Sequence, residues 1–337
     1  MTMHRRGALM ALAAWLAHAP ATQAQGLMQL RIGTVAPKGS SHHQQLLEMG
    51  EAWRAAQGPG AKVTVFTDGS QGGEHELLRR LRIGQLQGAM MTVVGLRDIE
   101  PSVSALQNLP LLFRSWDEVD AVREKLRAGL EKRFLDKGFV VVAWGDAGWV
   151  RFFSKTAAVR PDDFKPLKFF SWGPETEQQA LMKGLGYTPV PLETNDVLPA
   201  LQTGMIQVVP TTPYFALATQ VFGPAPHMLD LNWAPVVGAV VVTAKAWEAM
   251  SPAAQVALKA AGEKAGVAIR AAARREVEES VEAMRKRGLQ VHKPTPEQLK
   301  EWTDLAEKLY PKLRGSLVPA ETFDEVMAHV KAVRGGR

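Results

Sequence analysis

Histidine and acidic residues are the side chains that could carry catalysis or bind a metal in this sequence, and their spacing argues against both. The adjacent pair His42–His43 points in two directions on a helix, and His75 lies in another predicted element. The pair Asp162–Asp163 and Asp196 lie where turns and helix N-termini favour acids. The motifs of serine hydrolases, zinc metalloproteases and Walker phosphate loops are absent. We therefore expect no cofactor, no metal and no enzymatic activity.

A glycine-rich segment, "GSQGGE" from Gly69 to Glu74, is the nearest approach to a phosphate-binding loop. It lacks the G-x-G-x-x-G order of dinucleotide-binding proteins. The segment instead predicts a turn between a strand and a helix. Glu74 would then lie at the positive end of the helix dipole, where an acid is stabilised.

The elements that must position any site alternate between strands and helices. "LRIGTV", "KVTVFT", "GAMMTVVG" and "FVVVAW" predict strands separated by helices, one of which begins with a capping box at Ser115 and Glu118. After Gly148 a second set follows, "WVRFFS", "LKFFSW", "TPVPLE" and "MIQVVP", and "GAVVVT" then returns to the first sheet. Such alternation is typical of α/β layers with helices on both faces of each sheet.

The order of these elements predicts two lobes. Residues 25–148 with about 238–265 form the first lobe, and residues 149–237 with about 290–337 form the second. A helix over 252–287 follows Ser251 and ends before Gly288. At about 1.5 Å per residue it spans about 54 Å, which is longer than one lobe, so we expect it to bridge the two.

The N-terminus predicts export. Arg5 and Arg6 precede the apolar stretch "GALMALAAWLA", and cleavage is expected after Ala24, which makes 1–24 a signal peptide. The export route, general secretion or twin-arginine, stays open. The chain has no cysteine, which suits a bacterial periplasmic protein with a large core. No later apolar run is long enough for membrane insertion, and no basic stripe with aromatics indicates nucleic-acid binding.

The segments "GSQGGEHELLRRLRIGQLQGA", "SKTAAVRPDDFKPLKFF", "LPALQTGMIQ" and "VTAKAWEAMSPAAQVALKAAGEKA" follow one another along the chain. Together they resemble one known family, the TRAP-transporter solute-binding proteins of the DctP type. The similarity runs from about Leu30 to Leu313. It implies two α/β lobes with a ligand cleft between them and a long bracing helix. It also implies a periplasmic receptor that closes around a small solute and delivers it to the membrane permease subunits.

The sequence departs from the family where most members clamp a carboxylate. The arginine that ends the family's "L-K-I-R" segment corresponds to Phe170, and a second family arginine corresponds to Val150. Arg151 is one residue away, so it should face away from the cleft unless a bulge turns it inward. The family's asparagine falls near Thr211.

The predicted cleft is therefore apolar and hydroxylated. We expect Phe170 and Trp172 to share the cleft face, with Phe169 in the core. The full set of predicted ligand-binding residues is Phe170, Trp172, Val150, Thr211, Thr212, Tyr214, Trp233, Thr92, Ser40 and Arg151. A buried aromatic ring offers ~150–250 Å² of surface, and at ~25 cal/mol per Å² two rings would favour an apolar or aromatic solute.

Alternatives remain open for the ligand and for the function. A monocarboxylate could bind through backbone N–H groups near Gly173 or the hydroxyls of Thr211 and Thr212. The same fold could serve a receptor that signals to, or docks on, another periplasmic protein. An exported α/β enzyme is a further alternative, because catalytic residues meet in space rather than in sequence.

Overall fold

The computed structural model describes residues 28–172 and 175–335. The predicted signal peptide, with its Arg5–Arg6 pair and its cleavage position after Ala24, lies outside the described residues, as does Gly173. Within the described ranges, none of the helices is both long enough and apolar enough to cross a membrane.

Strands and helices alternate along the described ranges, as the sequence predicts. The strands are β1 (Gln29–Thr34), β2 (Lys62–Phe66), β3 (Gly88–Thr92), β4 (Phe139–Trp149), β5 (Arg151–Ser154), β6 (Lys168–Trp172), β7 (Thr188–Leu192), β8 (Val208–Thr211), β9 (His227–Leu229), β10 (Pro235–Thr243) and β11 (Gln290–His292). The helices are α1 (Ser41–Gln57), α2 (Glu74–Arg82), α3 (Val93–Leu96), α4 (Trp116–Asp136), α5 (Thr176–Gly184), α6 (Val197–Thr203), α7 (Pro213–Ala218), α8 (Ala244–Glu248), α9 (Pro252–Arg285), α10 (Pro296–Leu313) and α11 (Ala320–Gly335).

The first sheet has five strands in the order β2-β1-β3-β10-β4. β1 is parallel to β2 and β3, whereas β10 is antiparallel to both β3 and β4. The predicted return of "GAVVVT" to the first sheet is thus confirmed. β10 is apolar on both sides because it lies in the middle of a covered sheet. Val237 and Val241 pack into the core on one face, and Val240 and Val242 pack into the core on the other.

Helix α4 covers one face of this sheet with an apolar stripe. Ser115 caps the helix by accepting a hydrogen bond from the Glu118 N–H at 3.3 Å. A capping box also requires the Glu118 carboxylate to accept a hydrogen bond from the Ser115 N–H, and this half of the prediction is wrong. The carboxylate accepts from the Arg114 N–H at 2.8 Å instead. The stripe itself is buried, and its members are Val119, Val122, Leu126 and Leu130.

The second sheet has six strands in the order β11-β9-β5-β8-β6-β7. β6 is parallel to β7 and β8, and β5 is antiparallel to β8 and β9. Alternation along β6 places Phe169 and Phe170 in the cores on opposite faces of this sheet.

The long helix α9 connects the two cores. Its 34 residues correspond to about 51 Å. Ala254 and Leu258 pack into a core of the first sheet, and Val281 and Met284 pack into a core of the second. A Cβ at Gly266 would lie 2.6 Å from the Trp144 carbonyl oxygen, so glycine lets α9 approach β4 closely.

The last two helices pack differently: α10 contributes to a core of each sheet, with Leu309 and Leu313 in the core that α4 shares with the first sheet, and α11 packs into that same core. On α10, Trp302 packs into a core of the second sheet. On α11, Phe323 and Val326 pack into the core that α4 shares with the first sheet. Arg334 of α11 also pairs with Glu118 of α4, with 2.9 Å between Nε and Oε1.

Candidate ligand-binding site

A cavity of about 210 Å³ lies between the two sheets, and we call it the central cavity. Thr34 and Thr92 reach it from the carboxyl ends of β1 and β3, and Trp172 and Thr211 reach it from the carboxyl ends of β6 and β8. Ile269 of α9 closes one side. Ligand sites in open α/β sheets favour such strand ends, so the central cavity is the candidate binding site.

Six of the ten predicted site residues line the central cavity: Thr92, Val150, Trp172, Thr211, Thr212 and Tyr214. Val150 lies between the two sheets, with its N–H bonded to the Ala234 carbonyl at 2.8 Å. The Thr212 hydroxyl caps α7 by accepting from the Phe215 N–H at 3.4 Å. That hydroxyl therefore already has a structural role in addition to facing the cavity.

Phe170 and Trp233 do not line the central cavity, contrary to the sequence expectation for the cleft. Phe170 shares a face with Trp172, as expected, and the two ring centroids are 4.7 Å apart in an edge-to-face arrangement. However, Phe170 is 6% exposed, because it lies in a core that includes Leu201 of α6 and Val209 of β8. Trp233 instead packs edge to face against Trp302 of α10. Both rings border a second cavity, described below.

Arg151 faces away from the central cavity, as strand alternation predicts. Its guanidinium pairs with Asp230 at 3.0 Å and lies 3.8 Å from Glu278 of α9. Its Nε also donates to the Asn232 side chain at 3.3 Å. The side chain is only 7% exposed, so these partners satisfy a buried charge rather than a ligand.

Ser40 lies behind the cavity wall and not on it. Its hydroxyl caps α1 by accepting from the His43 N–H at 3.1 Å. Tyr214, by contrast, does line the cavity. Burial raises the pKa of its phenol, so this phenol stays neutral.

Glu74 is a cavity residue that the sequence analysis assigned only to a turn. It is 8% exposed and lies in the first turn of α2, as predicted. One carboxylate oxygen accepts from the Thr92 N–H at 2.9 Å, and the other accepts from the Thr92 hydroxyl at 2.9 Å and the Gly95 N–H at 2.8 Å. Burial raises the pKa of Glu74, and these hydrogen bonds oppose that rise. The two glycines before Glu74 were the one sequence feature that drew attention to this position.

Two histidines also line the central cavity, and each contacts another residue of the protein. His42 is buried, which lowers its pKa, and its Nε2 hydrogen-bonds the Asp146 carbonyl oxygen at 3.0 Å. His75 pairs through Nδ1 with Asp98 at 2.5 Å, and this hydrogen bond raises its pKa. Within the described ranges, no cluster of three or more His, Cys, Asp or Glu side chains could hold a metal ion.

A buried ionic cluster supports the floor of the cavity at Asp146 of β4. Its carboxylate contacts Arg123 of α4 at 2.9 Å and Arg274 of α9 at 3.2 Å. Asp120 contacts the same two arginines, at 2.5 and 2.7 Å. Burial raises the pKa of Asp146, and attraction to the two guanidiniums acts in the opposite direction. The cluster therefore ties β4 to two helices beneath the site.

The charges on the cavity wall are acidic or histidine. Glu74, Asp146 and Glu193 line the cavity, and among the described residues that line it there is no lysine or arginine. Asp146 is already paired with two arginines behind the wall, whereas Glu74 accepts only neutral donors. An anionic ligand would therefore meet a buried carboxyl group without a permanent cation beside it.

Comparisons with known proteins agree on one family. The model of the bacterial extracellular solute-binding proteins, family 7, matches residues 32–315. The chain is 27% identical over 161 residues to the uncharacterised protein YiiZ of Salmonella typhimurium, a match over 47% of this chain and about half, 49%, of that relative's length. It is 24% identical over 274 residues to the C4-dicarboxylate-binding periplasmic protein DctP of Rhodobacter capsulatus, covering 79% of this chain and 80% of DctP.

A solved structure extends the likeness to the whole fold. The TRAP periplasmic solute binding protein of Xanthobacter autotrophicus, solved with bound β-D-galacturonate, superposes with a TM-score of 0.81. The superposition covers 90% of this chain and 99% of that one at 18% sequence identity. At this identity the likeness shows the two-lobed fold and not the ligand.

Proposed function

Because the chain belongs to the bacterial extracellular solute-binding proteins, family 7, we propose that it is the periplasmic receptor of a TRAP transporter. It captures a small solute in the central cavity and delivers it to the membrane permease subunits. The match over residues 32–315 supports the receptor role. The position of the cavity between the two sheets, with walls from both, supports capture by closure.

The proposed lobes follow the two sheets. The proposed lobes are those that the sequence predicts, 25–148 with about 238–265 and 149–237 with about 290–337, except that α11 packs with the first sheet. Arg97 at the end of α3 lies 3.7 Å from Glu175 and 3.6 Å from Glu177, which precede and begin α5. These contacts join the two proposed lobes on one side of the cavity. A ligand that contacts both lobes would likewise join them, and would therefore favour the closed state.

We further propose that the solute is apolar or aromatic and uncharged. The observation that carries this proposal is the absence of lysine and arginine from the described lining of the central cavity. The DctP relative is named for C4-dicarboxylates, and the Xanthobacter protein holds a galacturonate. An acid of either kind would have to desolvate its carboxylate beside Glu74 without an arginine to receive it.

A monocarboxylate is the second candidate, because one histidine could receive it. Among the described residues, Nε2 of His75 is buried and has no hydrogen-bond partner, and His75 lines the central cavity. Asp98 on the opposite ring nitrogen favours the protonated imidazole, which would donate from Nε2. The negative charges of Asp98 and Glu74 nearby weaken this site for an anion.

Mass spectrometry of the solute that co-purifies with the exported protein tests the proposal directly. Thermal shift with phenylmethanol, succinate and galacturonate then ranks the ligand classes. We expect the neutral aromatic alcohol to raise the melting temperature most. A larger rise with succinate or galacturonate would show that the ligand class is wrong and would leave the receptor role intact.

A matched pair of variants locates the binding. Trp172→Leu removes a half-buried ring from the cavity wall, and we expect affinity for phenylmethanol to fall about tenfold or more. Trp247→Leu removes a half-buried ring from α8, away from both cavities, and should leave the affinity unchanged. Equal losses in the two variants would mean that the cavity is not the site. Loss of solute uptake on deleting the gene would separate transport from a signalling role.

A further inference from the structure

A second cavity of about 230 Å³ lies beside the central cavity. β6, α5 and α10 enclose it, together with the segment that contains Asn108 and Pro110. Its wall is mostly aromatic and aliphatic and includes Phe152, Phe170, Trp233 and Trp302. Two of these, Phe170 and Trp233, are rings that the sequence analysis placed in the cleft. The aromatic surface predicted for the ligand is thus present, but displaced from the central cavity.

One layer of side chains separates the two cavities. The residues that line both are Val94, Gln107, Val150, Trp172 and Pro210. Trp172 is only half-buried, and its side chain borders both cavities. Gln107 is held in place, because its side-chain oxygen accepts from the Val237 N–H at 3.1 Å. A solute that reaches past this shared wall would contact both cavities at once.

An unpartnered hydroxyl marks the second cavity as more than a packing gap. Ser171 lines it and is 4% exposed, and among the described residues its Oγ has no hydrogen-bond partner. A buried hydroxyl without a partner is less stable than one whose hydrogen bonds are satisfied. Strand alternation turns this hydroxyl to the same side of β6 as Phe169, away from the core around Phe170. A polar group on a bound solute would remove the penalty.

We propose that the second cavity is a subsite for the same solute, which is elongated and has two apolar parts. One part occupies the central cavity, and the other, a ring or short chain with a hydrogen-bonding group near Ser171, occupies the second. This inference rests on the apolar ligand class proposed above. An apolar cavity of about 150 Å³ holds one benzene ring, so each of these cavities has room for one ring.

Calorimetric titration of the purified exported protein with phenylmethanol and with biphenylmethanol tests the subsite. The second ring buries additional apolar surface, so we expect the two-ring probe to bind about tenfold or more tightly than the one-ring probe. Leu181→Trp enlarges a half-buried side chain of α5 that lines only the second cavity. It should remove the advantage of the two-ring probe and change the affinity for the one-ring probe by less than about twofold.

Controls keep the outcomes distinct. Met182→Phe fills the same cavity with a smaller change, in case Leu181→Trp does not fold. Leu135→Trp adds the same ring to an exposed position on α4 and should alter neither titration. If both probes bind equally and neither filling variant changes this, the subsite is refuted and the ligand class stands. If neither probe binds while galacturonate or succinate does, the ligand class fails and the subsite fails with it.

Discussion

Glu175 offers a prediction that tests the contact between the two halves of the molecule. Its side chain is 6% exposed and lies 3.7 Å from Arg97, which is too long for a hydrogen bond. Burial therefore outweighs the attraction of Arg97 and raises the pKa of Glu175 from 4.5 to about 7. His75, Glu74 and Asp98 are the other charged groups that act on it.

The sign of the effect follows from the raised pKa. The folded protein binds the Glu175 proton more tightly than the unfolded chain does. This contribution to the free energy of unfolding is fully present below pH 4.5 and is lost as the pH rises through about 7. The difference between 4.5 and about 7 corresponds to about 3 kcal/mol at about 1.4 kcal/mol for each pH unit.

Glu175→Gln removes the titration and keeps the shape of the side chain. The free energy of unfolding, measured in urea at pH 5 and pH 8, should fall less with pH in this variant than in the original protein. We expect the two pH dependences to differ by up to about 3 kcal/mol. His75 and Asp98 titrate in both proteins, so the comparison cancels most of their contribution.

Glu177→Gln is the matched control. Glu177 lies 3.6 Å from the same Arg97, but its side chain is 61% exposed. Exposed pairs contribute about 1 kcal/mol or less, so this substitution should leave the pH dependence nearly unchanged. Parallel pH curves for the original protein and Glu175→Gln would refute the reasoning. They would mean that Glu175 ionises as an ordinary exposed acid and that the two halves do not bury it in solution.

Four further substitutions should change the free energy of unfolding, measured in urea. Gly266→Ala should destabilise the protein, because the added Cβ would lie 2.6 Å from a carbonyl oxygen of β4. Its control, Gly129→Ala in α4, would bring the new Cβ no closer than 3.5 Å to an arginine side chain and should stabilise the protein by about 0.5–1 kcal/mol. Equal effects of the two substitutions would contradict the close packing of α9 against β4. Asp146→Asn leaves a buried arginine short of one partner and should cost about 3 kcal/mol, and a neutral result would show that the cluster is not ionic. Phe170→Arg should destabilise the fold by several kcal/mol, because a guanidinium would enter an apolar core that also borders the second cavity; a variant as stable as the original protein would show that this side chain is not buried.

The local pattern was enough for the order of elements and for the direction of neighbouring side chains. The four segments predicted as strands after Gly148 became β5 to β8, and the segment predicted as a helix after Ser251 became α9. Alternation placed Phe169 opposite Phe170 and turned Arg151 away from the cavity. These properties depend on backbone geometry that each segment carries by itself, so a single sequence contains them.

The roles of particular site residues were less accessible. The sequence predicts Glu74 as an acid at the start of a helix, and the structure places it there. However, the groups that donate hydrogen bonds to its carboxylate belong to Thr92 of β3 and Gly95 of α3. The sequence analysis considered His75 only as a metal ligand and rejected that role. Its hydrogen-bond partner in the structure, Asp98, lies 23 residues away along the chain. Hydrogen bonds between distant segments leave no spacing rule in the sequence, so these two cavity residues could be found only after folding.

The sequence by itself determined the alternating α/β elements, the length of α9 and which side of β6 each aromatic ring occupies. Only the tertiary structure decided which of those sides is covered. Phe170 lies in a core with Leu201 of α6, while Trp172, two residues further on, borders both cavities. Likewise, the apolar residues Phe323 and Val326 are visible in α11, but their packing beside α4 is not. Periodicity fixes the direction of a side chain, whereas burial depends on which distant element packs against it.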